Sequence, residues 1–178
     1  MFTEVIRIPK ERVAVLIGPK GSFKRDLQIK LNVSIKIDSE DGLVEISSDD
    51  GLNNYLCKNI VQVIGRGLTP DEALVLLDEN YLAEVIPIKD FTGSSKKKQE
   101  RVKSRLIGEE GRVRKNLEGL TNTKIVIYGK TVTIIGLITD VEIAKRAVMK
   151  LILGAPHGHV YSMIERFKGK DDEKFKIN

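Results

Sequence analysis

The residues best placed to do chemistry are glycines and cations in two matching clusters, 90 positions apart. Leu16-Ile17-Gly18-Pro19-Lys20-Gly21 is answered by Leu106-Ile107-Gly108-Glu109-Glu110-Gly111, and Lys24, Arg25, Leu27, Ile35 and Ile37 are answered by Arg114, Lys115, Leu117, Ile125 and Ile127. A Gly-x-x-Gly turn lets the backbone come close to a ligand, because glycine has no side chain and enters positive φ freely. A helix that starts right after such a turn aims its first N–H groups at the ligand and favours an anion. In the first copy Gly18 and Gly21 frame Pro19 and Lys20. Lys20 faces the anion, and Ser22, Lys24 and Arg25 lie on the turn that follows. In the second, Gly108 and Gly111 frame two acids of the wrong sign, but Arg112, Arg114 and Lys115 follow and Lys96, Lys97, Lys98, Arg101, Lys103 and Arg105 precede. This combination is suited to gripping a phosphate backbone.

The elements that must position these clusters follow from periodicity. Phe2 to Ile8 alternates and stops at Pro9, which predicts a strand. Lys10 to Ile17 is a short helix broken by Gly18. Phe23, Leu27 and Leu31 then form one apolar stripe on a second helix, whose other face carries Lys24, Arg25 and Lys30. Val33, Ile35 and Ile37 alternate, an acidic turn at Asp38 to Gly42 follows, and Leu43 to Ile46 returns as the partner of a hairpin. Leu52, Leu56, Ile60, Val63 and Ile64 mark a closing helix that Gly65 and Gly67 end. Thr69-Pro70-Asp71-Glu72 has the pattern of a capping box with proline at the first helical position, predicting a short connecting helix over Ala73 to Leu77. The same six elements recur, with a strand from Tyr81 to Ile88, a polar loop from Asp90 to Ser95, a helix ending at Gly108, an amphipathic helix through Val113, Leu117 and Leu120, a hairpin from Lys124 to Tyr128 and Thr131 to Ile135, and a helix through Val141 to Ile152. The expected boundaries are 1–68 for the first unit, 69–80 for the connector and 81–167 for the second unit. A charged, aperiodic stretch, 168–178, reads as a solvated, frayed terminus.

Composition narrows the function classes. A net charge of +5 suits a polyanionic partner. One cysteine, Cys57, sits on the apolar side of a helix, which excludes a disulfide framework and favours a reducing, cytoplasmic location. No apolar run approaches the roughly 18 residues of a membrane span, and the N-terminus shows no signal-peptide pattern. Gly129-Lys130-Thr131 resembles the end of a nucleotide-binding loop, but the first glycine of that motif falls on Lys124, so a hairpin turn is expected. His157 and His159 are the only histidines and make a poor metal site. No nucleophile–base pair stands out, so no cofactor, metal or catalytic residue is assigned. With no Trp and nine Phe plus Tyr in total, the chain lacks the aromatic stacking platform of an RRM or OB surface.

The element order strand, helix, helix, strand, strand, helix, together with two Gly-x-x-Gly loops, resembles a tandem pair of type I KH domains. That implies an α+β fold, each unit a three-stranded antiparallel sheet with three helices on one face, gripping about four nucleotides through its loop. Base recognition would fall to an apolar groove rimmed by Ile17, Phe23, Leu27, Ile35 and Ile37. Beyond this pattern, Leu151-Ile152-Leu153-Gly154-Ala155-Pro156-His157-Gly158-His159-Val160-Tyr161, with Arg105 to Gly108 and Thr123 to Ile127, resembles the two-KH small-subunit assembly factors that partner the Nob endonuclease, and their archaeal homologues. The resemblance implies a non-catalytic protein that binds single-stranded RNA at the 3′ region of small-subunit rRNA, helps present the cleavage site to the Nob-type endonuclease, and contacts a translation initiation factor subunit. Its eukaryotic members look degenerate in the first loop and basic in the second, whereas here the first is Gly-Pro-Lys-Gly and the second acidic. Two readings stay open at this point: an RNA-binding ribosome assembly factor, or a translation-linked adaptor whose main interface is with protein.

Overall fold

The computed structural model describes residues 1–175, with side chains through residue 169. The chain divides between Glu79 and Asn80 into two compact units. In the first, β1 (Phe2–Arg7), α1 (Lys10–Ile17), α2 (Ser22–Leu31), β2 (Ser34–Asp38), β3 (Leu43–Ser48) and α3 (Gly51–Gly65) follow in the expected order. Pro9 ends β1 because it has no N–H to donate to a ladder. The sheet runs β1-β3-β2, antiparallel throughout, with Glu4 and Ile35 flanking Ile46 and with Ile6 and Ile37 flanking Val44. Side chains alternate across a strand, so this register turns Ile35, Val44 and Ile46 into the core with Leu16, Leu27, Ile60 and Ile64. Each such side chain contributes about 1.5–3 kcal/mol on burial.

The second unit repeats the plan with β4 (Tyr81–Pro87), α6 (Lys96–Ile107), α7 (Arg112–Thr121), β5 (Lys124–Tyr128), β6 (Thr131–Leu137) and α8 (Ile138–Ile152), preceded at α6 by a single helical turn, α5 (Lys89–Thr92). Its sheet order is β4-β6-β5, again antiparallel. Both units are therefore three-stranded antiparallel sheets with helices packed on them, in the type I arrangement. The repeat extends to polar detail. Lys58 on α3 pairs with Glu4 at 3.0 Å, and Lys145 on α8 pairs with Glu84 at 2.8 Å. Asn32 and Asn122 end α2 and α7 in the left-handed conformation, φ 48° and 54°. Asparagine tolerates that conformation better than most residues.

Several expectations change. Residues 69–79 do not stand apart as a connector: α4 (Pro70–Ala73) and the helical turn after it pack on α3 within the first unit, burying Ala73 and Leu76. The capping box itself forms, the Thr69 hydroxyl accepting from Glu72 N–H and the Glu72 carboxylate from Thr69 N–H. Leu52 is exposed, and the buried side of α3 carries Asn54 in its place. Part of the polar loop from Asp90 to Ser95 is helical, as α5. The largest departure is a further helix, α9 (His157–Phe175), which buries Val160 and Ile164 in the second core. The break expected at Lys168 is absent from the backbone, which stays helical to Phe175; residues 176–178 lie outside the described residues. Among the described residues no helix is long and apolar enough to cross a membrane.

Cys57 on α3 is buried, and the lost hydration of the thiolate pushes its thiol up to about 12. An acid whose folded pKa is raised adds stability below its unfolded pKa and loses it as pH rises toward the folded value. We expect native protein to resist a thiol-specific disulfide reagent at about pH 8, where urea-unfolded protein reacts at once. Urea stability should fall as pH rises from about 9 toward 12 and fall less in Cys57→Ala. Fast native labelling would show that the packing around α3 is looser than described.

Candidate nucleic-acid interface

Each loop starts where its first helix has to stop. Gly18 N–H still closes a helical bond to Ala14 C=O at 3.0 Å, and Gly108 N–H does the same to Ser104 C=O at 2.9 Å. The chain then turns at φ 73°, ψ 174° at Gly18 and φ 72°, ψ 177° at Gly108, a region that only glycine occupies at low cost. Space imposes the same choice. A Cβ on Gly18 would lie 2.8 Å from Phe23 Cβ, and one on Gly108 would lie 2.5 Å from Val113 Cγ2.

The second glycines differ in kind. Gly21 and Gly111 are left-handed, φ 73° at both, but a Cβ on Gly21 would meet nothing within 4 Å and one on Gly111 only the tips of Arg114 and Lys115. This open side is where a ligand backbone can approach. Between the glycines, Lys20 sits at φ 52°, ψ 28° and Glu110 at φ 53°, ψ 27°. The two loops thus share one backbone shape while carrying opposite charge.

Of the expected contacts in the first unit, Gly18 to Ser22 and Lys24 come together in the loop and the first turn of α2, with Lys20 exposed. Arg25 is exposed but donates through Nη2 to the Lys20 carbonyl at 2.9 Å, so it braces the loop as well as adding charge. In the second unit Arg112 and Lys115 are exposed, whereas Arg114 pairs with Glu118 at 3.0 Å. The other Glu118 oxygen accepts from Ile125 N–H at 2.8 Å, as Gln28 Oε1 accepts from Ile35 N–H at 2.8 Å in the first unit. One side chain thereby ties the end of the basic helix to the next strand in both repeats. Of the expected groove rims, Leu27 and Ile35 are buried core, while Ile17, Phe23 and Ile37 are half-buried. Phe23 faces an open cleft of about 600 Å³ with Ala14, Val15 and Pro70, where Asp26 and Asp71 supply the wrong sign for phosphate.

The loops are held from behind by groups that periodicity did not single out. Arg12 on α1 donates to Ile64 C=O at 2.8 Å in the last turn of α3 and to Leu68 C=O at 2.5 Å just beyond that helix. Arg105 on α6 donates to Leu151 C=O at 3.4 Å and Ala155 C=O at 2.6 Å, and His157 Nε2 lies 3.0 Å from Arg105 C=O. The Leu151 to Tyr161 segment is therefore a structural latch on the helix that enters the loop. His157 is held in that latch, and no metal-binding cluster of three His, Cys, Asp or Glu occurs among the described residues. Gly129 and Lys130 form the two-residue turn of the β5–β6 hairpin, as expected in place of a nucleotide loop.

Comparisons with known proteins agree with this geometry. Residues 82–169 match the model for the second KH domain of Pno1, described as a eukaryotic-type KH domain (KH-domain type I), and residues 3–63 match a KH domain. The chain is 42% identical over 171 residues to the KH domain-containing protein MJ0443 of Methanocaldococcus jannaschii, covering 94% of this chain and 74% of that one. It belongs to the Pno1/Dim2 family of KH-domain proteins. The pre-rRNA-processing protein pno1 of Aspergillus fumigatus is 31% identical over 181 residues, covering 97% of this chain and 71% of its own. Among solved structures, the complex of a/eIF2alpha, aDim2p and rRNA from Pyrococcus horikoshii aligns with a TM-score of 0.85 at 40% identity, covering 95% of each chain.

The two glycines of each Pno1/Dim2-type loop should respond differently to substitution. Gly108→Ala combines a disfavoured φ/ψ with an overlap against Val113, so urea unfolding should show a loss of about 2–4 kcal/mol. Gly111→Asn meets open space in a conformation asparagine tolerates and should cost about 1 kcal/mol or less. Equal losses at the two positions would contradict the assignment of packing to the first glycine and ligand approach to the second.

Proposed function

We propose that this protein is a non-catalytic, cytoplasmic RNA-binding factor of small-subunit ribosome assembly that holds the single-stranded 3′ region of small-subunit rRNA. The observation that carries the reading is the pair of Gly-x-x-Gly turns, each with a first glycine locked against the following helix and a second open to a ligand backbone. A phosphate fits the open side, and in the first unit Lys20 and Lys24 supply cations that take no ion pair among the described residues. The contacts proposed are Gly18, Pro19, Lys20, Gly21, Ser22, Lys24 and Arg25, with Gly108, Gly111, Arg112, Arg114 and Lys115 in the second unit. Family membership supports rRNA as the ligand, since relatives are named as pre-rRNA-processing and RNA-binding proteins and one neighbour was solved with rRNA. By the same resemblance, the bound 3′ end would be presented to a Nob-type endonuclease.

A second reading, an adaptor for a translation initiation factor subunit, is favoured by one observation: the neighbouring complex contains a/eIF2alpha beside rRNA. The acidic loop at Glu109 and Glu110 suits a protein surface better than a phosphate.

Binding of a single-stranded rRNA 3′ fragment should weaken steeply with salt, each phosphate contact contributing roughly 0.7 to the log–log slope. A perfect duplex of the same sequence should compete poorly, since KH modules take up unpaired strands. Pro19→Asp with Lys20→Asp should leave the melting curve in place and reduce RNA affinity. Glu109→Lys with Glu110→Lys should raise it if the second loop faces RNA. Salt-independent binding, or full affinity in the aspartate variant with loss in Arg114→Ala and Lys115→Ala, would reject the first loop as a principal clamp.

A further inference from the structure

The two repeats differ at the start of the helix that leads into the loop. α1 has eight residues and begins directly after Pro9, with Glu11 in its first turn. α6 has twelve and is preceded by α5, so the second unit carries an inserted helical turn and a helix extended by about one turn at its N-terminus. The added turn is Lys96-Lys97-Lys98-Gln99. Its cations have no structural work to do. Lys96, Lys97, Lys98 and Arg101 are all exposed, and among the described residues none of them takes an ion pair. The one acid on this helix, Glu100, is occupied by Lys103 at 2.9 Å.

The placement is also electrostatically unfavourable for the helix. The first turn of a helix carries the positive end of its dipole, and cations there are destabilising; here that turn holds three and no acid. The platform beneath them is nevertheless firmly built. The Ser95 hydroxyl accepts from Lys98 N–H at 3.3 Å, buried Gln99 donates through Nε2 to Gly93 C=O at 2.9 Å, and the Thr92 hydroxyl donates to Ile88 C=O at 3.1 Å. A rigid, inserted, unpaired cluster of like charge is matched by a polyanion. The other end of the same helix enters the acidic Glu109-Glu110 loop, about 16 Å away at the usual helical rise.

We propose that the start of α6 is a second RNA-backbone contact, outside the Gly-x-x-Gly grooves, at which Lys96, Lys97, Lys98 and Arg101 bind phosphates of the strand flanking the clamped nucleotides. This rests on the RNA-binding reading above and adds a site that the first unit lacks. It supplies, beyond the loop, the attraction that the two glutamates remove from the loop itself. Such contacts add affinity and salt dependence without base preference.

The test uses the full chain and the variant Lys96→Gln with Lys97→Gln and Lys98→Gln. Two RNAs from the 3′ end of small-subunit rRNA are titrated across a salt series: a short oligonucleotide that fills a groove of about four nucleotides, and the same sequence within a longer single strand. For the long RNA the log–log salt slope should fall by about 2 in the variant, at roughly 0.7 per phosphate contact. For the short RNA the slope should be unchanged. The variant should melt at or above the wild-type temperature, because repulsion at the helix start is relieved. An unchanged slope on the long RNA overturns the proposal, as does an equal reduction on both RNAs or a lower melting temperature with no change in slope. Failure of the wild type to bind either RNA would overturn the general RNA-binding reading instead.

Discussion

The arrangement of both units depends on one steric constraint: the backbone must reverse between two helices with the second residue of the second helix pressed against the turn. Phe23 and Val113 each lie where a Cβ on the preceding first glycine would fall. A side chain at Gly18 or Gly108 would push the basic helix away from the one before it, and with it the strand that the basic helix holds. The φ/ψ values at these positions are the local expression of that closeness, and they agree between repeats within a few degrees. Loop, helix start and strand start are set together.

Around this constraint the repeats use equivalent polar bonds, some from the same position and some not. Gln28 and Glu118 hold the following strand at the same place and the same 2.8 Å. The neutral and the charged side chain do the same work, but Glu118 also recruits Arg114. The arginine that reaches from the helix entering the loop to carbonyls at and just beyond the end of the helix after the hairpin, α3 or α8, is Arg12 in one unit and Arg105 in the other, positions that do not align at the 90-residue offset. The bond recurs although the residue position does not. In each case the guanidinium bridges a carbonyl in the last turn of a helix and one four residues on, tying the chain that leaves the helix to it.

Most of the architecture was legible in the sequence because it rests on local signals. Strands alternated, helices carried apolar stripes, and the capping box at Thr69 formed as its residues implied. What escaped rests on tertiary contacts. Among its described side chains α9 carries Val160 and Ile164 as the fully buried apolar residues in a largely polar segment, so its stripe is too sparse to stand out; the spacing of those two after Pro156 was the available signal. Leu52, expected on the apolar stripe, is exposed, and Asn54 is buried. At the candidate site the glycines and cations were visible at once, but the internal engagement of Arg25 and Arg114, the bonds from Gln28 and Glu118, and the latch between Arg105 and His157 join residues whose proximity only the fold creates.

The near-identity of the two loops has an evolutionary consequence. Their shape is set by glycines and by backbone bonds, including those accepted by Pro19, Lys20 and Glu109 C=O, while the side chains between the glycines are exposed and take no part in holding the turn. After a duplication, the side chains at such positions can differ in sign, Pro-Lys in one copy and Glu-Glu in the other, on the same backbone. One copy can keep an ancestral ligand while the other acquires a new one, and selection acts on each surface separately. A module of this construction diversifies by recolouring its surface, and two copies in one chain preserve the old role while the new one is explored.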